Sequence, residues 1–228
     1  MRRRELLVLI TAAAAAPLAL VPGAALADDQ RVALSKAFPM LEAYLGVPAG
    51  ERSRFYLAYR ATRDKRPVAD AKAAIVGPGG AAVPLAFDRA GFLTSRLPSL
   101  AELKGANQFV IAGQPFKLAI EARCAIAPST HIDAGELAAA LTQANAAIAK
   151  AAGPAAMLIP KMTSTYFPDA AGGRAVLADG RESPLPVVSV PSVGPIAYFE
   201  PAKTAGAKAV VFAKAPSRVL LGGHPKGA

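Results

Sequence analysis

Cysteine and histidine are scarce in this chain, and each scarcity excludes a class of site. Among 228 residues there is one cysteine, Cys124, so no disulfide can form within the chain. The two histidines, His131 and His224, show neither His-x-x-x-His nor His-Glu-x-x-His spacing. Zinc ligation therefore has no support in the sequence. We predict no metal site and no bound cofactor.

Aromatic residues are also few, at 6% of the chain, and tryptophan is absent. Proteins that bind single-stranded nucleic acid combine a basic groove with aromatic side chains on which the bases stack. No stretch of this sequence interleaves basic and aromatic residues in that way. We therefore do not expect nucleic acid as a partner.

Catalytic motifs are missing as well. The chain has no Gly-x-Ser-x-Gly elbow of the kind that serine hydrolases use. His131 and Asp133 could serve Ser129 or Thr130, but a polar loop followed by a helix cap is the favoured interpretation of these neighbours. Three other carboxylates are unconnected by spacing: Asp88, Glu121 and Asp169. We name no catalytic residue, and an enzyme of unrecognised type stays open as an alternative.

The N-terminus carries a distinct pattern. Three arginines at positions 2–4 precede an apolar core from Leu6 to about Leu20, and Ala25-Leu26-Ala27 precedes an aspartate. This order is typical of a secretory signal peptide, residues 1–27, that is cleaved after Ala27. Prolines interrupt the core, which is shorter than the roughly 20 apolar residues of a membrane-spanning helix. We therefore do not expect an integral membrane protein after cleavage.

The leader predicts a periplasmic or secreted protein. Arg3-Arg4-Glu5-Leu6-Leu7 fits the twin-arginine pattern, and an ordinary Sec signal with three arginines fits equally, so both routes stay open. A lipoprotein needs a cysteine at the cleavage point. Cys124 lies far from that point, which excludes lipid anchoring.

Positive charge is in excess, with a net charge of +10, and part of it is clustered. The cluster consists of Arg52, Arg54, Arg60, Arg63, Lys65 and Arg66, against Glu51 and Asp64. Such a patch attracts anions over roughly 10 Å at ordinary salt. The favoured interpretation is a solvated surface that confers solubility, because net charge is a stronger argument for solubility than for a partner. The alternative is an anion-contact patch for anionic envelope components or an envelope protein.

Alternation of apolar and polar residues predicts many short strands. In residues 54–61, Phe55, Leu57, Tyr59 and Ala61 alternate with other side chains, which is the period of a half-buried strand. Two strands around Gly77–Gly80 predict a hairpin. Further strands are expected at 92–97, 108–112, 116–126, 157–167, 175–178, 181–185, 196–199, 208–213 and 218–221. Spacings of roughly 8–12 residues suggest a sandwich or barrel.

The segment from Ala82 to Phe92, with the turn Asp88-Arg89-Ala90-Gly91, resembles one hairpin of transthyretin-like or carboxypeptidase-regulatory-like sandwich modules. The resemblance covers that hairpin alone. It includes no active-site residue, so what it implies is a sandwich fold and no function.

One long helix is predicted from Asp133 to Ala152. Asp133 can cap its N-terminus, and Glu136 stands at the position that a capping box requires. The apolar stripe is expected to consist of Leu137, Leu141, Ala144, Ile148 and Ala151, and to pack on a sheet. Gly153-Pro154 should end the helix. We expect the tail from Gly222 to Ala228 to fray.

Taken together, these patterns predict an α+β, β-dominant fold, with sandwich-like antiparallel sheets and one principal helix at about 133–152. We treat 28–228 as one compact domain, with sub-domains 28–128 and 129–228 as the alternative. The favoured function is a non-catalytic binding or scaffolding module of the cell envelope. A carrier of a small hydrophobic ligand is the alternative, because the chain is 53% hydrophobic.

Overall fold

A computed structural model describes residues 30–190 and 193–225. The predicted leader, residues 1–27, and its cleavage point lie outside the described residues. The described residues are β-rich, with 36% strand against 23% helix, and their antiparallel sheets accompany one main helix. The α+β, β-dominant, sandwich-like fold predicted from the alternation is therefore confirmed.

The strands are β1 (Gln30–Ala33), β2 (Phe55–Arg63), β3 (Arg66–Pro67), β4 (Ala73–Val76), β5 (Ala82–Leu85), β6 (Gln108–Ile111), β7 (Lys117–Cys124), β8 (His131–Asp133), β9 (Ser164–Phe167), β10 (Arg174–Leu177), β11 (Glu182–Pro184), β12 (Val187–Val190), β13 (Gly194–Phe199), β14 (Ala207–Val211) and β15 (Leu220–Gly222). The helices are α1 (Leu34–Ala37), α2 (Leu41–Gly46), α3 (Leu100–Lys104) and α4 (Ala134–Ala152). Short 3₁₀ helices cover Ala49–Arg52 and Gly153–Leu158.

The described residues form two compact units, each made of separate chain segments. Unit 1 comprises residues 47–56 and 122–225, and unit 2 comprises residues 30–46 and 57–121. Strands β2 and β7 each contribute residues to both. The single domain over 28–228, and its alternative division after residue 128, stay predictions.

Unit 2 is built around an antiparallel sheet of order β1-β6-β4-β5 and the β2–β3 hairpin beside β7. Alternation along β2 places Tyr59 and Ala61 in the core, as predicted, with exposures of 1% and 0%. Phe38 packs edge-on against Tyr59 and Phe109. Val83 lies on β5, the edge strand of this sheet, and is exposed.

The turn after β5 is where unit 2 requires a glycine. The Asp88 carboxylate accepts the Phe92 amide at 2.7 Å, and an isolated bridge joins Phe87 to Leu93. Gly91 has φ +81°, and a Cβ placed there would lie 3.0 Å from the carbonyl oxygen of Ala61. Because L side chains rarely adopt this φ and a Cβ would press against backbone, this position strongly favours glycine.

Unit 1 contains the sheet of order β11-β10-β14-β8, the strand order β12-β13-β9-β15-β7, and helix α4. The helix packs against β14, β8 and β9. Its buried residues are Ala134, Leu137, Ala140, Leu141, Ala144 and Ala147. The predicted stripe is therefore right at its first three positions and wrong toward the end. There, Ala147 is buried while Ile148 is half-buried and Ala151 is exposed.

The caps of the helices correct one prediction. Asp133 accepts the Glu136 amide at 2.8 Å and caps α4 as expected. The Glu136 carboxylate, however, pairs with the Arg54 guanidinium, so the second half of the predicted capping box is absent there. A complete capping box instead begins α3, where Ser99 and Glu102 bond reciprocally.

Two other predictions fail locally. The strand expected over 157–167 is limited to β9, because Met157 and Leu158 belong to a 3₁₀ helix that follows α4. The tail is ordered as far as Pro225 among the described residues, since β15 includes Gly222 and the Tyr166 hydroxyl donates to the Gly223 carbonyl. Positions 226–228 lie outside the described residues.

A candidate anion site on a basic hairpin

The six residues of the predicted anion patch belong to different units. Arg52 and Arg54 lie in unit 1, whereas Arg60, Arg63, Lys65 and Arg66 lie in unit 2. They are close in sequence, but the boundary between the two units falls within strand β2.

The two arginines of unit 1 have partners. Arg52 donates from Nε to the Val47 carbonyl at 2.9 Å. The Arg54 guanidinium pairs with the Glu136 carboxylate, and its backbone amide donates to the Gln143 side chain at 2.6 Å. The positive charge of Arg54 is thus compensated within unit 1, at the start of α4.

The four residues of unit 2 surround the β2–β3 hairpin, and we call them the basic hairpin. Arg63 pairs with Arg66 across the two strands. The two residues between them both have left-handed backbone, with φ 50° for Asp64 and 65° for Lys65. Two consecutive positive φ angles in a two-residue loop define a type I′ turn.

This turn violates the local preferences of its residues. Type I′ turns favour Asn-Gly or Asp-Gly, because glycine adopts positive φ without steric cost. Lysine occupies the glycine position here, at a cost of roughly 1–2 kcal/mol. Arg63 and Arg66 stand directly opposite each other, and like charges in that arrangement are destabilising. Two unfavourable choices thus coincide at one hairpin tip.

Neutral groups fix the two arginines that β2 contributes. Arg63 donates from Nε to the Pro115 carbonyl at 3.0 Å and from Nη1 and Nη2 to the side chain and carbonyl of Gln114, at 2.6 and 3.1 Å. Arg60 donates to the Ala90 carbonyl at 2.7 Å and stacks over the Phe92 ring, 4.9 Å from its centroid. These contacts orient both guanidinium groups and leave their charge intact.

Lys65 and Arg66 are exposed to solvent. Within the part of the chain that the structure describes, no carboxylate lies within ion-pair distance of any of the four basic side chains. The hairpin also borders an open cleft of about 550 Å³, lined by Arg63, Asp64, Arg66, Pro67, Val68, Ala69 and Asp70. This arrangement can hold phosphate or carboxylate groups by charge-assisted hydrogen bonds.

The residues around the predicted polar loop serve the backbone. Ser129 donates its hydroxyl to the carbonyl of His131, whose side chain is exposed, while Asp133 caps α4. Cys124 is 3% exposed, and burial raises the pKa of its thiol. The interpretation as a polar loop with a helix cap is confirmed.

One cluster in unit 1 was not predicted. The Glu200 carboxylate, 8% exposed as a residue, accepts from the Nδ1 of His224 at 3.0 Å and pairs with the Lys203 ammonium at 3.3 Å. Next to it, burial raises the pKa of Tyr166 to about 12. No spacing rule joins Glu200 to His224, so only the folded chain reveals this contact.

Unit 1 also has an open cleft of about 750 Å³ between β10, β11 and the end of β14. Its floor includes Phe212, and the ion pair of Arg174 with Glu182, 3.0 Å long, stands at its edge. A carrier of small hydrophobic ligands encloses its ligand in an apolar cavity. This cleft is instead open to solvent and has charged residues at its edge.

Across residues 30–190 and 193–225, no three His, Cys, Asp or Glu side chains are grouped so that they could hold a metal ion. No helix among these residues is both long enough and apolar enough to cross a membrane. We find no match between this chain and any protein-family model, curated protein or solved structure.

Proposed function

We propose that this protein is an exported, non-catalytic binding module of the cell envelope that contacts anionic groups through its basic hairpin. The observation that carries the proposal is the coincidence of an unfavourable turn with four positive charges that form no ion pair with a described residue. Local strain that persists in a fold indicates a role other than stability. Export is the prediction from the leader, and it places anionic lipids and polymers within reach.

The chemistry of the four side chains suits repeated anionic groups. An arginine presents a planar fork that matches phosphate or carboxylate, and a lysine acts as a mobile point charge. Arg60 and Arg63 are already oriented by carbonyl groups, so less side-chain entropy is lost when they bind. The shared ligand chemistry is phosphate or carboxylate on a polymer or on a lipid headgroup.

Binding should be tested with three probes: lipopolysaccharide, inorganic polyphosphate and polyglutamate. The test variant is Lys65→Gln with Arg66→Gln. The matched control is Lys36→Gln with Lys104→Gln, which removes two exposed positive charges from the same unit. A basic side chain near an anionic surface contributes about 1 kcal/mol, so we expect the hairpin variant to lose roughly tenfold or more in affinity.

The control variant should lose less than about threefold, because its charges act only through the general field. Equal losses in the two variants would show that net charge alone drives binding and would contradict the site. Absence of binding by the unmodified protein to all three probes would reject the proposal. The probe bound most tightly distinguishes a phosphate from a carboxylate source.

Native mass spectrometry of protein purified from its own cells separates this proposal from the carrier alternative. A mass equal to the bare mature polypeptide is the expected result. An additional mass of a small apolar molecule would favour the carrier instead.

A further inference from the structure

An apolar turn in unit 1, residues 153–161, has no buried residue. Met157 is 93% exposed and Leu158 is 86% exposed, the highest exposures among the large hydrophobic side chains that the structure describes. Leaving two such side chains in water forgoes the free energy of burying them. The turn therefore presents apolar surface away from the core that α4 covers.

The turn extends from a fixed base. At its start, the Gly153 amide donates to the Ala149 carbonyl and ends α4. At its end, the Asn145 side chain donates to the Met162 carbonyl at 2.8 Å and accepts the Met162 amide at 2.9 Å. Met162 is itself buried, at 8% exposure. The exposed tip is thus held between two anchored ends.

Along the sequence, the turn and the residues that flank it carry only positive charge. From residue 137 to residue 168 the sequence contains no aspartate or glutamate, whereas it contains Lys150 and Lys161. Lys150 pairs with Glu51, at 2.8 Å. Lys161 is exposed and forms no ion pair with any described residue. A partner that covers the tip therefore meets apolar side chains next to an uncompensated cation, which complements an anionic surface.

We infer that the apolar turn inserts into the headgroup region of an anionic lipid bilayer, with Met157 and Leu158 in the upper acyl region and Lys161 beside the phosphates. The area argues for lipid over a protein partner. An aromatic side chain buries roughly 150–250 Å², so two smaller aliphatic ones supply at most about 300 Å². A stable protein interface needs about 800 Å² from each partner.

A bilayer needs neither that area nor a complementary shape. Apolar side chains enter the interface while neighbouring lysines extend toward the headgroups. The inference is independent of the proposed function, because the turn belongs to unit 1 and the basic hairpin to unit 2. An experiment can therefore reject membrane insertion of the turn without rejecting anion binding by the basic hairpin, and the reverse.

The absence of tryptophan provides a specific probe. In the full chain, Leu158→Trp introduces the only tryptophan at the tip, and Val83→Trp introduces it at an exposed strand of unit 2 as the control. With vesicles of equal parts phosphatidylglycerol and phosphatidylcholine, we expect the indole emission of the Leu158→Trp variant to shift to the blue and to be quenched by brominated acyl chains. The Val83→Trp variant should show neither effect.

Sedimentation with the same vesicles measures the contribution of each side chain. We expect Met157→Ser with Leu158→Ser to lower the partition coefficient at least about tenfold, because both side chains lose apolar area. The control, Val83→Ser with Val187→Ser, should change it less than about twofold. Lys161→Gln should lower partitioning about fivefold on anionic vesicles and leave it unchanged on pure phosphatidylcholine.

Four results would overturn the inference. The first is unchanged partitioning of the serine variant, whose folding is checked by its melting temperature. The second is indole emission from the Leu158→Trp variant that does not shift when vesicles are added and remains typical of a solvent-exposed indole. The third is a protein that binds no vesicles but self-associates in analytical ultracentrifugation, with the serine substitutions abolishing this self-association. A second copy of the chain would then cover the turn. Loss of vesicle binding only in Lys65→Gln with Arg66→Gln would support the hairpin and reject the turn.

Discussion

Replacing Lys65 by glycine should stabilise the protein while weakening its binding to polyanions. Lys65 has φ 65° in a type I′ turn, in the position where glycine is preferred. Relief of the left-handed backbone contributes roughly 1–2 kcal/mol. The greater freedom of glycine in the unfolded chain opposes this by roughly 0.5–1 kcal/mol. We therefore expect a net stabilisation of about 0.5–1 kcal/mol.

Urea unfolding followed by circular dichroism measures this difference. The midpoint should rise at an unchanged slope, since the surface exposed on unfolding is the same. In a protein of this length, the melting temperature should rise by about 1–4 °C. Lys65→Arg is the matched control, because it keeps both the charge and the backbone strain. It should leave stability and polyanion affinity as they are.

The same variant tests whether the strain is connected to binding. Lys65→Gly removes one of the charges of the basic hairpin, so its affinity for the tightest of the three probes should fall about fivefold. Lys65→Asn tolerates positive φ and also lacks the charge, so it should behave like the glycine variant. A lower urea midpoint for Lys65→Gly would refute the argument from strain. Unchanged affinity in both neutral variants would refute the argument from charge.

Three further predictions concern stability and reactivity. Gly91→Ala should cost about 2 kcal/mol or more in urea unfolding, since its Cβ would meet backbone, whereas Gly79→Ala, with nothing within 4 Å, should be nearly neutral. Hydrogen bonds from Arg96 and Ser99 lower the pKa of Glu102 to about 2, against 4.5 in the unfolded chain. The ionised Glu102 carboxylate therefore stabilises the fold fully above pH 4.5, and this stabilisation is lost as the pH falls toward 2. Glu102→Gln should remove that dependence in acid unfolding and cost less than about 1 kcal/mol at neutral pH, because the charge pair with the exposed Arg96 is lost while glutamine can still complete the capping box; an unchanged acid profile would contradict this. Cys124 should react with a thiol reagent only at the rate of unfolding; rapid native labelling would contradict its burial.

The fold class could be predicted because alternation follows from the geometry of a strand. Side chains on β2 point alternately to opposite faces, so Phe55, Tyr59 and Ala61 are buried wherever the strand pairs. The N-terminus of α4 could be predicted for a similar reason, since Asp133 acts on an amide three residues away. Sequence patterns that depend only on residues a few positions apart therefore predict the folded structure correctly.

Predictions failed where a distant residue competed for the same group. The Glu136 carboxylate had a local partner in its own cap, but Arg54, 82 positions away, forms an ion pair with it. Glu200 and His224 are 24 positions apart, and no periodicity relates them. The six clustered arginines and lysines illustrate the converse, because proximity in sequence did not place them in one unit.

The apolar run at Met157-Leu158-Ile159 shows why hydrophobicity alone could not predict a strand there. Apolar residues are buried only when another element covers them. Gly153 and Pro154 end α4, and Asn145 returns the chain at Met162, so the intervening residues have no sheet to join. These residues are exposed because of the two points at which the chain is anchored. The composition of the apolar run does not predict those points.

Both proposed surfaces combine residues with positions that do not favour them. Lys65 stands where a glycine is preferred, and Leu158 is exposed where a polar residue would be more soluble. At such positions, replacing the residue by the type that the local structure prefers, glycine at 65 or a polar residue at 158, should raise stability or solubility and weaken binding. At Gly91 or Leu137, where residue and position agree, any substitution should lower stability and binding together. The opposite signs of these two responses separate a binding surface from a structural one even while the ligand is unidentified.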